Sequence, residues 1–255
     1  MAAKQYLAHS LNRIAGRFGY NVAISRTDGI PSDMLQADID LFLRVRPFTM
    51  TTIERISALR LAVEYVVKHE IPGDIVECGV WRGGSMMAAV YTLLALGDTS
   101  RRVVLYDTFK GMGPPTQEDG ADVHEQWSSA LTADHNRWCF APLEDVKKNL
   151  ESTGYPVSRI HYVQGLVEET LPSAVHEQIA ILRLDTDFYP STLAELKYLY
   201  PRLLDGGVLI IDDYGHFAGA RRAVDEYFTQ TERPPMFCRT DYTARTCIKP
   251  ATVLR

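Results

Sequence analysis

The sequence contains no apolar run of membrane length, no excess of positive charge and no paired-cysteine spacing. Its first 20 residues mix charged with apolar side chains and do not resemble a signal peptide. The net charge of −5 argues against a general nucleic-acid binder, which usually carries a basic face. The four cysteines fit a reducing cytoplasm better than a disulfide framework or a zinc site; they are Cys78, Cys139, Cys238 and Cys247. We therefore expect a cytoplasmic protein that binds neither nucleic acid nor membrane.

The sequence also lacks the dinucleotide-binding pattern G-x-G-x-x-G. In its place, the stretch IVECGVWRGGSMM has glycines at 79, 83 and 84, which let the backbone pass close to a ligand. Glu77 lies inside the apolar strand of this stretch, where a carboxylate costs free energy unless something binds it. A tight turn also needs glycine for packing alone, and that alternative stays open. Because of Glu77, we favour a ligand-binding turn.

Apolar runs alternate with amphipathic segments from about residue 74, which is the pattern of a parallel sheet covered by helices. Two further runs, PPMFCRTD and ARTCIKP, predict an antiparallel hairpin with a turn around Asp241–Thr243. Residues 1–73 are largely helical and predict an N-terminal extension or lid before an α/β domain at residues 74–255. The predicted parallel strands are residues 74–80, 101–107, 159–165, 179–185 and 206–213.

Residues 108–140 show little periodicity within this domain. They are rich in Gly, Pro, Asp, His and Trp. A loop of this length in a compact domain is usually a lid or a binding loop, or else it is disordered. We therefore predict a functional loop insertion, with disorder as the alternative.

Asp107 ends the second predicted strand. In open α/β sheets, ligands lie outside the carboxyl ends of the strands, near the point where the strand order reverses. An acid at this tip is suited to accept hydrogen bonds from ribose hydroxyls. A cap of the following turn is the alternative function for such an aspartate. Together with Glu77 and the glycines, the ribose interpretation is favoured.

Two acidic pairs follow the next two predicted strands: Asp185 with Asp187, and Asp212 with Asp213. Side chains two apart in a strand point to the same side, and neighbouring strands would bring both pairs to one edge. Carboxylates there repel one another unless a hard cation such as Mg²⁺, Mn²⁺ or Ca²⁺ holds them. Asp187 is also close enough to the segment PSTLAEL to cap its helix. We predict a divalent metal site, because capping would not require all four acids.

His216 follows the second acidic pair and is the histidine that we associate with this edge. No H-x-E or H-x-x-x-H arrangement is present in the sequence. A polar loop residue is the simpler interpretation of His216, and a residue that lines a substrate pocket is the alternative. Trp81, Tyr189 and Tyr214 could shape the same pocket, although aromatic residues at strand ends usually serve packing.

These motifs, in this order, resemble the macrocin O-methyltransferase family of TylF-type enzymes. The matching stretches span about residues 46–228 and are PFTMTTIERISAL, IPGDIVECGVWRGGS, LYDTFKGM, VQGLVEETLP, LRLDTDFYPSTLAEL and GGVLIIDDY. The resemblance implies a Rossmann-like class I methyltransferase fold, with a mostly parallel seven-stranded sheet and the closing hairpin. It also implies S-adenosylmethionine as cofactor and a divalent ion, usually Mg²⁺.

The resemblance further implies roles for individual residues. From the methionine end of the cofactor to its ribose and adenine, the implied contacts are Glu77, Gly79, Ser85, Asp107, Gln164, Gly165 and Leu166. Thr49 and Met50 belong to a segment that leads into a helix covering the cofactor. The implied metal ligands are Asp185, Asp212 and Asp213. The family often has Asp-Gly-Asp where this chain has Asp185-Thr186-Asp187, but alternation turns Thr186 away from the site.

We therefore predict methyl transfer to a metal-bound hydroxyl of a small-molecule natural product, and specifically to a sugar hydroxyl of a glycosylated metabolite. A base is needed because a sugar hydroxyl is a weak acid. Asp185 is the predicted base, with Asp187 and His216 as second choices. The choice of acceptor is expected to depend on residues 108–140.

Three other functions stay open at this point. A phenol or catechol methyltransferase would use the same cofactor and metal with a different pocket. Glu77 and the missing G-x-G-x-x-G count against a nucleotide-dependent oxidoreductase. A non-enzymatic binding module would have no use for carboxylates clustered at strand tips. We also expect a homo-oligomer, with the helical N-terminal region packing between subunits.

Overall fold

The computed structural model describes residues 30–174 and 176–251, in which seven strands form one sheet. The strands are β1 Asp74–Cys78, β2 Val103–Asp107, β3 Ile160–Gln164, β4 Ile179–Leu184, β5 Leu203–Ile211, β6 Cys238–Arg239 and β7 Arg245–Ile248. Their order in the sheet is β3-β2-β1-β4-β5-β7-β6. Strands β1 to β5 pair in parallel, whereas β7 is antiparallel to β5 and to β6. The predicted mostly parallel seven-stranded sheet with a closing hairpin is confirmed.

Helices connect these strands and cover the sheet. In the described residues they are α1 Gln36–Val45, α2 Ile53–Lys68, α3 Gly84–Ala95, α4 Ala121–Ala130, α5 Leu143–Glu151, α6 Val167–Thr170, α7 Tyr189–Tyr198 and α8 Ala218–Thr229. Pro190 lies in the first turn of α7, where its missing N–H is tolerated. Within the ranges that the structure describes, every helix is too short or too polar to cross a membrane.

The sheet has an apolar core on each face because side chains alternate along its strands. Ile75 and Leu105 pack on one face against α2, α3 and α5. Val76 and Leu182 pack on the other face against α7 and α8. Cys78 is fully buried in this second core, as expected for a structural thiol. With both faces covered, the central strands are almost continuously apolar, and the polar residues at their ends stand out.

Helix α2 belongs to the same compact unit as the sheet, which comprises residues 41–255. Thr52 caps the helix by accepting a hydrogen bond from the backbone N–H of Arg55. Ile56 and Val63 on its inner face are buried in the core that covers β1. The domain predicted to begin at residue 74 therefore shares its core with residues assigned to the N-terminal extension. The extension and its lid function stay predictions, and residues 1–29 lie outside the described residues.

Residues 108–140, from here on called the strap, fold back on themselves. The backbone N–H of Asn136 donates to the carbonyl of Lys110 at 2.8 Å, and that of Met112 donates to the carbonyl of Trp138 at 3.1 Å. The two ends of the strap are thereby joined beside the tip of β2, and helix α4 lies between them. The strap thus has its own helix and its own hydrogen bonds, and its role as a functional insertion stays a prediction.

Candidate active site

A cavity of about 330 Å³ lies along the carboxyl ends of the parallel strands. The strand order reverses between β1 and β4, and open α/β sheets bind ligands at this switch point. One end of the cavity lies at the tips of β2 and β3, and the other at the tips of β4 and β5. The predicted residues that line it are Thr49, Met50, Gly79, Trp81, Asp107, Gly165, Leu166, Asp185, Asp187, Asp212, Asp213 and His216. Glu77, Ser85 and Gln164 lie outside its walls.

The turn after β1 is tight for reasons of packing as well as access. Gly79 has a φ of 78°, and a Cβ there would overlap the backbone carbonyl of Asp185. Gly84 begins α3 against the carbonyl of Phe48 and likewise has no room for a Cβ. Ser85, in the first turn of α3, is buried beneath this turn. The two alternatives for the glycines are therefore compatible, because Gly79 both permits the close approach of two strands and lines the cavity.

Glu77 has a protein partner that the sequence analysis did not identify. It is 1% exposed, and its Oε1 accepts a hydrogen bond from Nη1 of Arg183 on the neighbouring strand β4. Its Oε2 is buried without a hydrogen-bond partner. Burial raises the pKa of Glu77 to about 7, although Arg183 acts in the opposite direction. Part of the compensation expected from a ligand thus comes from an arginine inside the sheet.

Asp107 braces the turn between β1 and α3. Its Oδ2 accepts from the N–H groups of Val80 at 2.7 Å and Trp81 at 3.2 Å, and its Oδ1 accepts from the N–H of Phe109 at 2.7 Å. Burial nevertheless raises its pKa. Asp107 therefore makes the turn-capping contacts of the alternative interpretation while also lining the cavity. Its contact with a ribose stays a prediction.

Three carboxylates converge at the opposite end of the cavity. Asp185, Asp187 and Asp213 each offer an oxygen, and these oxygens lie within 4.8 Å of one another. Oδ2 of Asp213 is buried without a hydrogen-bond partner. Burial, followed by the charges of Asp187 and Asp212, raises the pKa of Asp213 well above its ordinary value. We name Asp185, Asp187 and Asp213 the acid group; Asp185 is paired with Arg183, and a bound cation would offset the repulsion that remains among the three.

Asp212 also lines the cavity, but its oxygens have protein partners. Its Oδ1 accepts from Nη2 of Arg183 and its Oδ2 accepts from Nη1 of Arg55, so both oxygens are paired with arginines. Arg55 also lies 3.1 Å from Oδ2 of Asp241 in the β6–β7 turn. The metal set of Asp185, Asp212 and Asp213 stays a prediction; the three carboxylates whose oxygens meet are Asp185, Asp187 and Asp213. Arg55 and Arg183 could not be inferred beforehand, since their partners are distant in sequence.

Asp187 is not the cap of helix α7, contrary to one of the sequence interpretations. The residue before the helix is Phe188, which makes no side-chain cap. The first N–H of the helix, that of Tyr189, instead donates to Oδ1 of Asp119 in the strap at 2.6 Å. Asp187 adopts a φ of 71°, and its carboxylate lies beside those of Asp185 and Asp213. Burial, and then the charge of Asp185, raises the pKa of Asp187 to about 7, although a hydrogen bond with Asp213 lowers it.

The end of the cavity near β3 contains a carboxylate that the sequence analysis missed. Glu168 in α6 lines the wall beside Gly165 and Leu166, and its Oε2 is buried without a hydrogen-bond partner. Burial raises its pKa. Gln164 is exposed and donates instead to the carbonyl of Thr108 at 3.4 Å. No pattern in VQGLVEET distinguishes Glu168 from the exposed Glu169 beside it, so only the fold could identify it.

Aromatic rings form the wall above the acid group. Trp138 from the strap lies 5.7 Å from the ring centroid of Phe188 and 6.2 Å from that of Phe217. The rings of Phe188 and Phe217 meet edge to face at 6.0 Å. His216 is exposed at the rim of the cavity, and its Nδ1 lies 3.3 Å from the hydroxyl of Tyr242. The site thus combines oxygen ligands below with an apolar wall above, which suits a small organic acceptor with polar substituents.

Known proteins share this fold and much of this sequence. The solved O-methyltransferase NovP superposes with a TM-score of 0.70 at 30% identity, covering 80% of this chain and 83% of that chain. A tetracenomycin methyltransferase of Streptomyces olivaceus, the 8-demethyl-8-(2,3-dimethoxy-alpha-L-rhamnosyl)-tetracenomycin-C 4'-O-methyltransferase, is 37% identical over 213 residues, covering 80% of each chain. The mycinamicin III 3''-O-methyltransferase of Micromonospora griseorubida is 34% identical over 181 residues, covering 70% of this chain and 69% of that one.

The fold and the cavity at its switch point are those of a Rossmann-like O-methyltransferase. The family model described as Macrocin-O-methyltransferase (TylF) matches residues 42–245. The chain belongs to the macrocin O-methyltransferase family, as its motifs predicted, and it is an O-methyltransferase enzyme. Its curated relatives act on natural products of antibiotic biosynthesis.

Proposed function

We propose that this enzyme transfers a methyl group from S-adenosylmethionine to a sugar hydroxyl of a glycosylated natural product. The observation that carries the proposal is the acid group beneath the aromatic wall, since together they can bind a polar hydroxyl and the apolar face of a sugar ring. The rhamnosyl acceptor in the name of the Streptomyces olivaceus relative supports a sugar acceptor. S-adenosylmethionine supplies an electrophilic methyl group on its sulfonium.

The cofactor occupies the end of the cavity between the tips of β1 and β3 in this proposal. Gly79 gives it access to the turn after β1, and Asp107 retains lone pairs for the ribose hydroxyls beyond its three backbone contacts. Gly165 and Leu166 line the adenine end. The unpartnered oxygen of Glu168 is suited to accept the exocyclic amino group of adenine. Glu77 and Ser85 would support the turn from below.

A divalent cation, Mg²⁺ or Mn²⁺, fits the acid group. Its three carboxylate oxygens lie within 4.8 Å of one another, and oxygen donors of this kind are the ligands that these ions prefer. In addition, Oδ2 of Asp213 is buried without a hydrogen-bond partner in the described residues. Such an ion lowers the pKa of a hydroxyl that it binds. We propose Asp185 and Asp213 as ligands, with Asp187 as the third. Asp212, the residue expected from sequence, would have to release Arg55 before it could replace Asp187.

Asp187 is better placed than Asp185 to remove the hydroxyl proton. Oδ2 of Asp185 accepts from Nη1 of Arg183 at 2.5 Å, so that one of its oxygens is already held by a protein donor. Within the described residues Asp187 forms no ion pair with an arginine, and its neighbour in the chain, Phe188, belongs to the aromatic wall. His216 is exposed at the rim, where it can only approach the outer part of an acceptor. We therefore propose Asp187 as the base, ahead of Asp185 and His216.

A methylation assay tests this function. Purified enzyme and S-adenosylmethionine are incubated with rhamnosylated polyketides, with free deoxysugars and with simple phenols and catechols, with Mg²⁺ or with chelator. We expect methylation of a glycosylated acceptor on its sugar, loss of activity with chelator and recovery with Mg²⁺. Methylation confined to phenols or catechols would replace the sugar acceptor by the alternative. Activity that chelator leaves unchanged would remove the cation from the proposal.

Two finer expectations remain part of the proposal. A homo-oligomer is supported by large apolar side chains that are exposed on the first two described helices, Leu43 at 51% and Leu61 at 51%. Light scattering on the purified protein would measure its mass, and a monomer at micromolar concentration would contradict this expectation. A cytoplasmic location remains the expectation from the unpaired cysteines, and it is tested by fractionation of the producing cells.

A further inference from the structure

The strap is attached to the rest of the enzyme on both sides of the cavity. Its two ends are joined to each other at the tip of β2, as described above. Its middle is attached at Asp119, which contacts the first residue of α7 and the first turn of α8. These helices follow β4 and β5, the strands that carry the acid group. The strap therefore crosses the carboxyl edge of the sheet from the cofactor end to the acid group.

Asp119 is enclosed where these elements meet. It is 5% exposed, and its Oδ1 accepts from the N–H of Tyr189 at 2.6 Å. Its Oδ2 accepts from the N–H of Thr116 at 2.8 Å and from the Thr116 hydroxyl at 3.1 Å. Gly219 in α8 lies against the same carboxylate, and a Cβ at that position would overlap Oδ1 of Asp119. A carboxylate so enclosed is stable only while these hydrogen bonds persist.

The contact with Tyr189 has a consequence for Asp187. An aspartate side chain commonly accepts a hydrogen bond from the N–H two residues further along the chain. For Asp187 that N–H is the one of Tyr189, and it is already bonded to Asp119. The Asp187 carboxylate is therefore free to join Asp185 and Asp213. If Asp119 withdrew, the N–H of Tyr189 and the nearby Asp187 carboxylate would be the natural partners of each other.

We propose that Asp119 is a positioning residue that couples the seating of the strap to the assembly of the acid group. With the strap seated, Asp119 caps α7 and Asp187 faces the cavity. With the strap lifted, Asp187 caps α7 and the acid group loses its third carboxylate. The coupling rests on the proposed function only in the role given to the acid group. The exchange of caps itself is independent of cofactor, cation and acceptor.

Two variants break the contact from opposite sides. Asp119→Ala removes the acceptor, and Gly219→Ala inserts a methyl group where Oδ1 now lies. Alanine favours a helix more than glycine does, so Gly219→Ala displaces the strap without weakening α8 itself. Asp119→Asn retains an oxygen for the N–H of Tyr189 but replaces the oxygen that accepts from Thr116 with an NH2 group, so it tests the α7 contact apart from the Thr116 contact. Glu125→Ala, which removes an exposed acid from the same segment, is the matched control.

The first measurement is hydrogen exchange at single-residue resolution, without ligands. In Asp119→Ala, we expect faster exchange across residues 112–138, while the amide of Tyr189 stays protected because Asp187 replaces the lost cap. In Asp119→Ala combined with Asp187→Ala, that protection is lost as well. Equal loss of Tyr189 protection in the single variant would overturn the exchange of caps.

The second measurement is the affinity for Mn²⁺ alone, with S-adenosylhomocysteine binding measured in parallel. Asp119→Ala and Gly219→Ala should weaken Mn²⁺ binding by about tenfold, as loss of one ligand contact to a charged group predicts, whereas Asp119→Asn and Glu125→Ala should bind it normally. Unchanged Mn²⁺ affinity in both disruptive variants would overturn the coupling. Asp119 would then only hold the strap in place. If the unaltered enzyme binds S-adenosylhomocysteine but no Mn²⁺, the cation of the proposed function fails, and Tyr189 exchange alone decides the inference.

Discussion

A buried aspartate, Asp74, and the acid group lie at opposite ends of the central sheet, and their charges are compensated in opposite ways. At the amino ends of the strands, Asp74 accepts from Arg102 at 3.0 and 2.5 Å and lies 2.7 Å from Nδ1 of His176. The other ring nitrogen of His176 contacts the hydroxyl of Tyr106 at 2.7 Å. Burial alone would raise the pKa of Asp74, but these hydrogen bonds outweigh it and hold the pKa below its ordinary value.

The acid group at the carboxyl ends shows the reverse. Burial, together with the neighbouring carboxylates, raises the pKa of Asp185 and Asp213 well above the ordinary value, despite the pairing of Asp185 with Arg183. The protein thus provides Asp74 with hydrogen-bond donors of its own, whereas it provides too few donors for the acid group. A carboxylate that the fold compensates stabilises the fold, whereas one that the fold leaves uncompensated indicates a ligand.

The largest effect is expected from breaking the uncompensated group. Asp213→Asn should lower turnover by on the order of a hundredfold or more, because it removes a charged ligand of the proposed cation. The same change should raise the melting temperature in the absence of ligands, because it removes like-charge repulsion. Turnover and differential scanning calorimetry measure both effects. Asp134→Asn, at an exposed position in the strap, is the control, and a variant that is active but less stable would contradict the comparison.

The compensated group should show the opposite behaviour. Asp74→Asn should lower the free energy of unfolding by about 2–3 kcal/mol, because it leaves Arg102 and His176 without their charged partner. Turnover of the folded enzyme should not change, since Asp74 is at the far end of the sheet from the cavity. Urea denaturation measures the stability, with Glu177→Gln as a neighbouring exposed control. A loss of turnover without a loss of stability would show that the two ends of the sheet are not separable in this way.

Glu168 extends the comparison to the cofactor end, where a single oxygen is left without a partner. Glu168→Ala should weaken S-adenosylhomocysteine binding by about tenfold, because the adenine amino group loses its acceptor. S-inosylhomocysteine, whose base has a carbonyl at that position, should bind the variant at least as well as the unaltered enzyme. Calorimetric titration of both ligands measures this, with the exposed Glu169→Ala as control. Equal weakening for both ligands would exclude recognition of the amino group.

The smallest effect is the pH dependence of the Asp74 contribution. Because the folded pKa lies below the unfolded one, the contribution is fully present above the unfolded value of about 4 and is lost as the pH falls through the folded value. The difference in stability between the unaltered enzyme and Asp74→Asn should therefore be constant near neutrality and shrink in acid. Urea denaturation from pH 6 to pH 3 follows it. A difference that stays constant over this range would contradict the lowered pKa.

The sheet was predictable because its strands are local apolar runs with helices between them. Strand β5 is the main difference in bounds, since it begins at Leu203 and not at residue 206. Its first residues are followed by Asp205, Gly206 and Gly207. These residues interrupt the apolar run, so the start of the strand could not be recognised from the apolar pattern. The edge on which Asp185 and Asp213 meet also followed from the sequence, because parallel strands end at the same edge.

The details of the site depended on contacts between distant segments. Asp187 was assigned as a helix cap or as a second-choice base. Its direction depends on Asp119, which lies 68 residues earlier and bonds the N–H that a cap would need. Asp212 was assigned to the metal, and its direction depends on Arg55, 157 residues away. Local patterns specify which residue types end a strand, whereas the partner that each one finds is set by tertiary packing.

The β6–β7 turn also determines when the site can be completed during synthesis. Asp241 accepts from the hydroxyl of Thr52, a residue 189 positions earlier, and lies beside Arg55. In a nascent chain, Arg55 is therefore synthesised long before Asp212 and Asp241. Contacts between residues so far apart in sequence form late in folding. The enzyme consequently acquires its complete charge network only after its final hairpin has left the ribosome.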